Sequence, residues 1–452
     1  MQNNNINNEE LLNGILSGPA MNPEQRKEMA RLRLKELVIF AKENSPFYRE
    51  LYWEIDPNNF VLTDLPVIDK KTLLNHFDEI LTDPALIPSD IYEFIKDDAN
   101  IGKNFHDHYS VVTTSGTNGN PLTVVRDSIH NKVHGLMVQS RLCQGFDPAV
   151  FTPVKSRIAV VIASKSNCSS YSSYTRMKKA FPDYDHNTRA FSITAPVREI
   201  VSGLNEFRPD VLTGYPSIML ILAHQQIIGR LKIDPAVIAC SAETLTDSVF
   251  AKLKTAFPHA AVLNNYCTTE VGEVAMSCRC GRLHLNDDWI MLEAVDEQLE
   301  PVEDGTVSSA VIATDLSNHI MPIIRYRLDD RVQIHNEPCP CGSTLPVITV
   351  WSRSADTLEF HGVELHSTLF LVTMYEQCDI LSWQFAQTSE NTLEFRAVYS
   401  ADSGDRMRDW VKKRFTQFLA DHNCADVHFI LSDSAPINSA RGGKLKLVVK
   451  EC

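Results

Sequence analysis

A run of small and hydroxylated residues at positions 113–121 is the densest local signal for chemistry in the chain. It reads Thr-Thr-Ser-Gly-Thr-Asn-Gly-Asn-Pro and follows a strand-like segment, Tyr109–Val112. Backbone N–H groups in such a flexible turn, together with hydroxyls, can surround the oxygens of a phosphate group. No lysine follows the second glycine, so this is not the common Gly-Lys-Ser/Thr phosphate loop. By itself the stretch fits an ordinary surface turn equally well.

A second polar segment, Asn264–Gly272, follows an apparent strand and reads Asn-Asn-Tyr-Cys-Thr-Thr-Glu-Val-Gly. Loops at the carboxyl ends of parallel strands are where α/β sheets bind ligands. Two threonine hydroxyls and the Glu270 carboxylate suit a phosphate and a magnesium ion, which prefers oxygen ligands. The alternative is a strand–helix turn in which Thr268 caps the helix and Glu270 is solvated.

Two charged segments add to these signals. In Ile324–Arg331 a carboxylate could bind the two hydroxyls of a sugar, although a salt-bridged surface turn has the same composition. In Arg441–Lys446 a lysine, Lys444, follows two glycines and could reach into a neighbouring cleft. A flexible basic tail is the alternative interpretation of that segment.

Cysteine and histidine occur close together at two places, Cys278-Arg-Cys-Gly-Arg-Leu-His284 and Pro338-Cys-Pro-Cys-Gly342. Two such clusters suit a tetrahedral zinc ion closed by four protein ligands, which is a structural rather than a catalytic arrangement. We select Cys278, His284, Cys339 and Cys341 as ligands, with Cys280 as a substitute for Cys278. Reduced thiols in two turns are the alternative.

Composition limits the classes of protein that remain. The chain has 452 residues and a formal net charge of −14, which argues against broad nucleic-acid binding. No apolar run approaches the roughly 18 residues needed to cross a membrane, and the polar N-terminus does not resemble a secretory signal. Eleven cysteines without such a signal indicate a reducing, cytoplasmic location.

The elements that position these segments alternate between strands and helices in the middle of the chain. The first twenty residues are Asn-rich and predicted to be frayed, and a helix is predicted over Asn22–Phe40. The further predictions are strands at Ile158–Ala163, Asp210–Gly214, Val237–Cys240 and Ala261–Asn264, and helices at Pro216–Gly229 and Asp247–Phe257. This alternation predicts a mostly parallel sheet. Residues 283–350 look like antiparallel β structure.

The predicted fold class is α/β. We expect a large N-terminal domain, residues 1–352, with mostly parallel sheets flanked by helices and a zinc-stabilised β-rich region at about 276–345. A polar junction is predicted at Trp351–Glu359. Residues 353–452 are then a small, mobile α+β C-terminal domain, with helices at Leu369–Gln377 and Asp405–Asp421 and strands at Leu393–Val398 and Val427–Ser432.

Taken in order, the four polar segments resemble the adenylate-forming superfamily of acyl-CoA synthetases, specifically its phenylacetate-CoA ligase-like branch. The resemblance runs from about residue 30 to 450. Tyr266–Glu270 resembles the family's Tyr-Gly-x-Thr-Glu motif, Arg325–Asp330 its Tyr-Arg-Thr-Gly-Asp motif, and Gly443-Lys444 its C-terminal Gly-Lys. The chain departs from these patterns at Cys267 and Asp329, where the family usually has glycine, and at Ser352 in the hinge pair. Members of this branch often carry a zinc site of the kind described above.

The resemblance implies a role for each site residue. The residues that would hold the β- and γ-phosphates of ATP are Thr114, Ser115, Gly116, Thr117 and Gly119. Those that would contact the rest of the adenylate are Ala242, Glu243 and Tyr266 at the adenine, Thr269 at the α-phosphate, and Asp330 with Arg353 at the ribose. Glu270 would hold magnesium, Lys444 would bridge the carboxylate and the α-phosphate, and Asp356 would lie at the hinge. The acid pocket would include Tyr215, Ile218 and Ala242.

The expected function is an AMP-forming carboxylic acid ligase that makes an acyl-adenylate and then transfers the acyl group. The acceptor is either the CoA thiol or an amino-acid amine, as in coronafacate-ligase-type amide ligases, and both stay open. The expected cofactors are ATP, Mg²⁺, structural Zn²⁺ and CoA, and the other partner is a small-molecule carboxylic acid. We expect neither nucleic acid nor membrane as a partner, and a monomer or homodimer. A zinc-stabilised scaffold with a decayed nucleotide site is the non-catalytic alternative.

Overall fold

The computed structural model describes residues 8–114, 121–142, 155–163, 168–180, 182–193, 195–353, 357–374, 380–399, 403–437 and 447–452. Its helices are α1 (Asn8–Ser17), α2 (Pro23–Asn44), α3 (Pro46–Leu51), α4 (Lys70–Asn75), α5 (Phe77–Ile80), α6 (Pro88–Lys96), α7 (Ser128–Met137), α8 (Ser169–Ala180), α9 (Pro182–Asn187), α10 (Val197–Phe207), α11 (Pro216–Ile227), α12 (Asp247–Ala256), α13 (Ser367–Met374) and α14 (Gly404–Asp421). A π-helical turn, Val138–Leu142, continues α7. None of the helices in these ranges is both long and apolar enough to span a membrane.

Within the described ranges, the strands form five sheets. A small antiparallel sheet contains β1 (Asn104–Phe105), β2 (Tyr109–Thr113) and β3 (Thr123–Arg126). The central sheet contains β4 (Ile158–Ile162), β5 (Thr188–Ser192), β6 (Val211–Gly214), β7 (Val237–Ser241), β8 (Ala261–Thr268), β9 (Gly272–Ser277), β10 (Leu283–Leu285), β14 (Asp330–His335) and β15 (Val347–Arg353). The others contain β11 (Ile290–Val295), β12 (Ala310–Asp315) and β13 (Tyr326–Leu328); β16 (Thr357–Phe360) and β17 (Val363–His366); and β18 (Ile380–Ser389), β19 (Thr392–Tyr399), β20 (His428–Leu431) and β21 (Val448–Lys450).

The central sheet confirms the predicted α/β class. Its strand order is β14-β15-β10-β9-β8-β7-β6-β4-β5. The run from β8 to β5 is parallel, and the run from β14 to β8 is antiparallel. β4 reads Ile-Ala-Val-Val-Ile and is buried at all its positions, as expected for a parallel strand covered on both faces. The sheet is therefore mixed, with the predicted antiparallel region continuing the parallel one.

Three local predictions differ from the structure. Residues 8–17 form α1 rather than a frayed end, because Leu11 and Ile15 are neighbours on one helical face and both are buried. The predicted junction begins too early, since Trp351–Arg353 belongs to β15, where Ser352 and Arg353 pair with β14 beyond a bulge at Trp351. β8 continues past Asn264 to Thr268 and turns directly into β9, so no helix follows it.

The hydrophobic residues fall into three main clusters. Two are formed by residues between positions 11 and 348. One draws on the parallel strands β4, β6, β7 and β8 and their helices, and the other on the antiparallel strands and on β11–β13. The third is formed by residues between positions 358 and 448, including a group of aromatic rings around Phe385 in which Phe370 and Phe415 lie 4.8 and 4.4 Å from it. The last hundred residues thus have a core built from their own strands and helices.

A buried ion pair fastens the N-terminal helix to the central sheet region. Both Nη atoms of Arg141 contact the Asp288 carboxylate, at 2.8 and 2.5 Å. Arg141 also donates to the Ile15 carbonyl at 3.0 Å and to the Asn286 side chain at 2.8 Å. Asp288 is fully buried, so its charge is stable there only because the guanidinium neutralises it.

Replacing Asp288 with alanine leaves the Arg141 guanidinium buried without a carboxylate. We expect the free energy of unfolding of this part of the chain to fall by about 3–5 kcal/mol, measured as the shift in a urea transition followed by tryptophan fluorescence. The control is Glu28→Ala, which breaks an exposed pair with Arg31 and should leave the midpoint unchanged. Equal midpoints for Asp288→Ala and the wild type would contradict the role of the pair.

Candidate active site

The carboxyl ends of the parallel strands bring the predicted acid and adenine residues together. The Tyr215 hydroxyl, after β6, accepts a hydrogen bond from the Ala163 amide, after β4, at 3.4 Å. Glu243, after β7, accepts from the Ser217 amide at 3.0 Å. Tyr215 and Ile218 are both buried. Crevices at this edge of a parallel sheet are the usual ligand-binding position, so the location fits the prediction.

Thr114 closes the base of the predicted phosphate loop. Its amide donates to the Leu122 carbonyl and its hydroxyl oxygen accepts from the Leu122 amide, both at 2.9 Å. These two bonds join the ends of the loop at the tip of the β2–β3 hairpin. The other four predicted loop residues, Ser115, Gly116, Thr117 and Gly119, lie outside the described residues.

Thr269 and Glu270 lie in the tight turn between β8 and β9. Thr268, just before them, accepts a hydrogen bond from the Val271 amide through its hydroxyl at 3.2 Å. Thr268 therefore closes a hairpin turn and does not cap a helix. The turn presents the predicted α-phosphate and magnesium residues side by side, at the end of the strand next to β7.

Arg126, which the sequence did not single out, connects these segments. One of its Nη atoms donates to the Thr269 carbonyl at 2.6 Å, and the other donates to the Ser169 hydroxyl at 3.2 Å. Cys168, next to Ser169, pairs with Thr113 at the base of the phosphate loop. Ser170 lies 3.1 Å from the Tyr215 hydroxyl.

The start of α8 and the Arg126 guanidinium therefore bring three predicted parts of the site together. These are the loop base, the Thr269–Glu270 turn and the edge of the acid pocket. Burial lowers the pKa of Arg126, while the nearby Asp315, Glu273 and Glu270 carboxylates favour its charged form.

The predicted ribose end of the site is also assembled. The Tyr266 hydroxyl donates to the Asp330 carboxylate at 2.9 Å. Asp330 pairs with Arg353 across β14 and β15, so the two predicted residues are neighbours on the backbone. Arg325, in the same motif, instead pairs with Glu293 and donates to the Leu65 carbonyl, which makes it part of the core. Lys444 and the predicted hinge residue Asp356 lie outside the described residues.

The four selected cysteine and histidine ligands also come together, away from these segments. The ligand atoms of Cys278, His284, Cys339 and Cys341 all lie within 4.8 Å of one another. The Cys278 and Cys339 sulfurs are 3.8 Å apart, and the Cys341 sulfur is 3.5 Å from Nε2 of His284. Cys280 is exposed, and its amide donates to the Cys278 sulfur. The geometry thus favours Cys278 over Cys280.

The thiols in this cluster are crowded in a way that a cation would relieve. Burial opposes ionisation of Cys278, but hydrogen bonds from His284 and from backbone N–H groups outweigh it and lower its pKa to about 6. Burial and the neighbouring sulfurs of Cys339 and Cys278 raise the pKa of Cys341 to about 12. Thiolates packed this closely repel one another, and a divalent cation at their centre would remove the repulsion.

The chain has relatives among characterised proteins. No family model matches it. It is 23% identical over 285 residues to protein CapK of Staphylococcus aureus, covering 60% of this chain and 61% of that protein. It is 25% identical over 371 residues to phenylacetate-coenzyme A ligase of Thermus thermophilus, covering 76% and 74%. The alignment with CapK thus spans less than two thirds of that relative.

Solved structures share the fold over nearly the whole chain. A 2-hydroxyisobutyryl-CoA ligase in its postadenylation state, in complex with R3-HIB-AMP, superposes with a TM-score of 0.66 at 18% identity. That match covers 96% of this chain and 91% of the ligase. The same ligase in its thioesterification state, with 2-HIB-AMP and CoA, gives a TM-score of 0.59. The chain is therefore similar in sequence to a phenylacetate-coenzyme A ligase and has the fold of the 2-hydroxyisobutyryl-CoA ligase.

Proposed function

We propose that the protein is an ATP-dependent, AMP-forming carboxylic acid ligase that makes an acyl-adenylate and passes the acyl group to an acceptor. The observation that carries the proposal is the junction at Arg126. It joins the base of a Ser/Thr/Gly loop, a Thr-Glu turn and the edge of the predicted acid pocket at the carboxyl ends of parallel strands. An ATP triphosphate and a carboxylic acid need such neighbouring sites to react.

In this proposal each segment has a chemical task. The loop from Thr114 to Gly119 supplies N–H and hydroxyl donors to the β- and γ-phosphates, and Thr269 contacts the α-phosphate. Glu270 would hold the magnesium ion, which neutralises phosphate charge when bound. Tyr266 and Asp330, already hydrogen-bonded to each other, border the adenine and the ribose. Ala242 and Glu243 complete the adenine side, with Arg353 beside Asp330.

The reaction itself is attack of the acid's carboxylate on the α-phosphorus, with pyrophosphate as the leaving group. Both reactants are anionic, so fixed cations and N–H donors that stabilise the developing charge supply most of the acceleration. We propose that Lys444 bridges the carboxylate and the α-phosphate. The C-terminal domain, residues 353–452, would deliver this lysine and then rotate about Asp356 for the second half-reaction.

For the acceptor we propose the CoA thiol. The Thermus thermophilus relative is named a CoA ligase, and so is the ligase with the same fold. Tyr215 and Ile218 pack in a cluster of apolar side chains, and we propose that they contact a small to medium, partly apolar acid. We also propose a cytoplasmic location, since the described cysteines are present as free thiols.

We further propose that Cys278, His284, Cys339 and Cys341 hold a structural zinc ion. The Nδ1 atom of His284 lies 2.9 Å from the Leu345 carbonyl, so it donates there and leaves Nε2 facing the sulfurs. The Ser343 amide donates to the Cys341 sulfur, and the Cys280 amide donates to the Cys278 sulfur. Hydrogen bonds of both kinds orient the ligands of zinc sites. The zinc would hold β10 against the segment that leads into β15.

Pyrophosphate exchange tests the central claim. With ATP, Mg²⁺ and a panel of carboxylic acids, we expect labelled pyrophosphate to enter ATP only when a suitable acid is present. Mass analysis should show a thioester in the reactions with CoA and no amide in separate reactions with a panel of amino acids. An amide product would show that the acceptor is an amine and not CoA. Absence of acid-dependent exchange with every acid in the panel would support the non-catalytic scaffold.

Replacing Lys444 with alanine should slow adenylation by about 10²–10³-fold while ATP still binds, because the lysine acts on charge that develops during reaction. Single-turnover acyl-adenylate formation and equilibrium ATP binding measure the two effects separately. Lys446→Ala, which removes a cation two residues away, is the matched control and should react at nearly the wild-type rate. Unchanged adenylation in Lys444→Ala would refute the proposed role.

Zinc content tests the metal proposal. We expect about one zinc per chain in the wild type, a loss of that zinc in Cys339→Ser, and its retention in Cys280→Ser. Elemental analysis of protein purified without chelators gives the stoichiometry, and thermal unfolding shows whether Cys339→Ser is destabilised. Equal zinc content in all three proteins would contradict the ligand assignment.

A further inference from the structure

A second buried cluster of titratable groups lies behind the Thr269–Glu270 turn. His130 and His134, one turn apart on α7, have ring centroids 4.1 Å apart. Asp315 at the end of β12 lies 2.7 Å from Nδ1 of His130, and Ser317 lies 3.2 Å from Nε2 of His134. All four side chains are buried. No other part of the proposed reaction uses them.

The protons of this cluster can be assigned from its contacts. Nδ1 of His134 accepts a hydrogen bond from the Glu273 amide at 2.9 Å, so this nitrogen carries no proton and a neutral ring carries it on Nε2. Nε2–H then donates to the Ser317 hydroxyl, which donates in turn to Asp315 at 2.6 Å. His130 donates to the other carboxylate oxygen. Burial lowers the pKa of His130 to about 3, so the His130 ring is neutral.

The same assignment of protons excludes a metal ion bound by His130, His134 and Asp315. Two histidines and a carboxylate with ligand atoms within 4.8 Å of one another are a plausible ligand set by composition. A histidine that binds a metal through Nε2 normally donates through Nδ1. At His134 the Nδ1 atom faces the Glu273 N–H, so a proton there would set two donors against each other. The cluster is therefore a hydrogen-bond network.

The network holds one end of the candidate catalytic turn, and Arg126 holds the other. Glu273 follows Gly272, whose φ of +81° favours glycine. A Cβ on Gly272 would lie 2.5 Å from Cε1 of His134, so the imidazole packs directly against this backbone. At the start of the turn, Arg126 binds the Thr269 carbonyl at 2.6 Å. The residues between, Glu270 and Val271, are thereby fixed at both ends.

We propose that His134, held in one tautomer by Ser317 and Asp315, is a positioning residue that aims the Glu270 carboxylate at the magnesium ion of bound ATP. This inference rests on the proposed function for the role of Glu270, but not for the hydrogen bond itself. His134 acts through the backbone of Gly272 and Glu273 and touches neither substrate. Without its acceptor the half-buried Glu273 amide would lose this hydrogen bond, and the turn would shift to bring in water or another partner.

Two substitutions at His134 separate positioning from packing. In His134→Asn the side-chain Oδ1 stands where Nδ1 stood and can still accept from the Glu273 amide, whereas His134→Leu fills space but cannot. We expect His134→Leu to raise the Mg²⁺ concentration for half-maximal pyrophosphate exchange about tenfold, as for one lost buried hydrogen bond, with the KM of the acid unchanged. For His134→Asn this Mg²⁺ concentration should stay within about threefold of the wild-type value, because the hydrogen bond is kept.

The matched control is Ser277→Ala, at the opposite end of the same hairpin. Ser277 also accepts from a half-buried strand amide, that of Asn264, at 2.8 Å. Its loss should lower stability without changing the Mg²⁺ requirement. If Ser277→Ala raised that requirement as much as His134→Leu did, or if His134→Asn behaved like His134→Leu, the positioning role would be wrong. Ser317→Ala serves as a second variant, with a smaller shift in the same direction, should His134→Leu fail to fold.

Hydrogen exchange gives a readout that does not depend on activity. The Glu273 amide should be protected in the wild type and in His134→Asn, and should exchange faster in His134→Leu while amides of the parallel strands keep their protection. If the wild-type protein showed no acid-dependent exchange of pyrophosphate, the proposed function would be refuted. The hydrogen bond from the Glu273 amide to His134 could still be tested by hydrogen exchange. A protected Glu273 amide in His134→Leu would refute the inference alone. A second bound metal lost with His134→Leu would overturn the network assignment.

Discussion

The buried Arg126 guanidinium sets the relative positions of the segments that form the candidate active site. Moving a cation out of water costs several kcal/mol unless acceptors replace the lost hydration. Here the acceptors are the Thr269 carbonyl and the Ser169 hydroxyl, which belong to two segments far apart in sequence. The Asp315, Glu273 and Glu270 carboxylates add a favourable field. Because the cation requires these partners, the turn and the start of α8 are held where the proposed chemistry needs them.

Local donors also explain how an acidic chain can hold a triphosphate. A net charge of −14 repels phosphate, but at physiological salt the field of exposed charges decays over about 8 Å. Surface charges farther away than this have little effect on a bound phosphate. Within that distance the nearest groups decide the sign of the potential. In the proposed site these are the N–H groups of the loop that Thr114 closes, the Arg126 cation and, in the adenylating pose, Lys444. An overall acidic surface and an anionic substrate are therefore compatible.

The sequence predicted the elements whose signal is local. β4 is an uninterrupted buried run, and α14 is amphipathic over its whole length, so both appear close to their predicted bounds. The continuation of β8 to Thr268 was missed because its polar residues form a strand only by pairing with β9. α1 was missed because asparagines on either side obscure the Leu11–Ile15 spacing. Pairing and burial between distant segments decided each of these cases.

The site shows the same division. Tyr266, Glu270 and Asp330 follow from short motifs, and the proposed zinc ligands follow from paired Cys and His clusters. Arg126 lies in an apparently ordinary strand end, Thr-Val-Val-Arg, and has no local signature. His134 and Asp315 are far apart in the chain and meet only in the folded protein. Residues that bind ligands are thus visible in motifs, whereas residues that hold them in place depend on long-range packing.

Two of the buried histidines, His284 and His134, show how backbone geometry decides what one side chain can do. Nδ1 of His284 faces a carbonyl, that of Leu345, and so carries the proton and leaves Nε2 able to bind a metal. Nδ1 of His134 faces an N–H, that of Glu273, and so Nε2 must carry the proton. Sequence spacing alone would favour His130 and His134 as metal ligands, since they share one helical face. The direction of one peptide group, at a glycine that allows the ring to approach, assigns them instead to holding the turn.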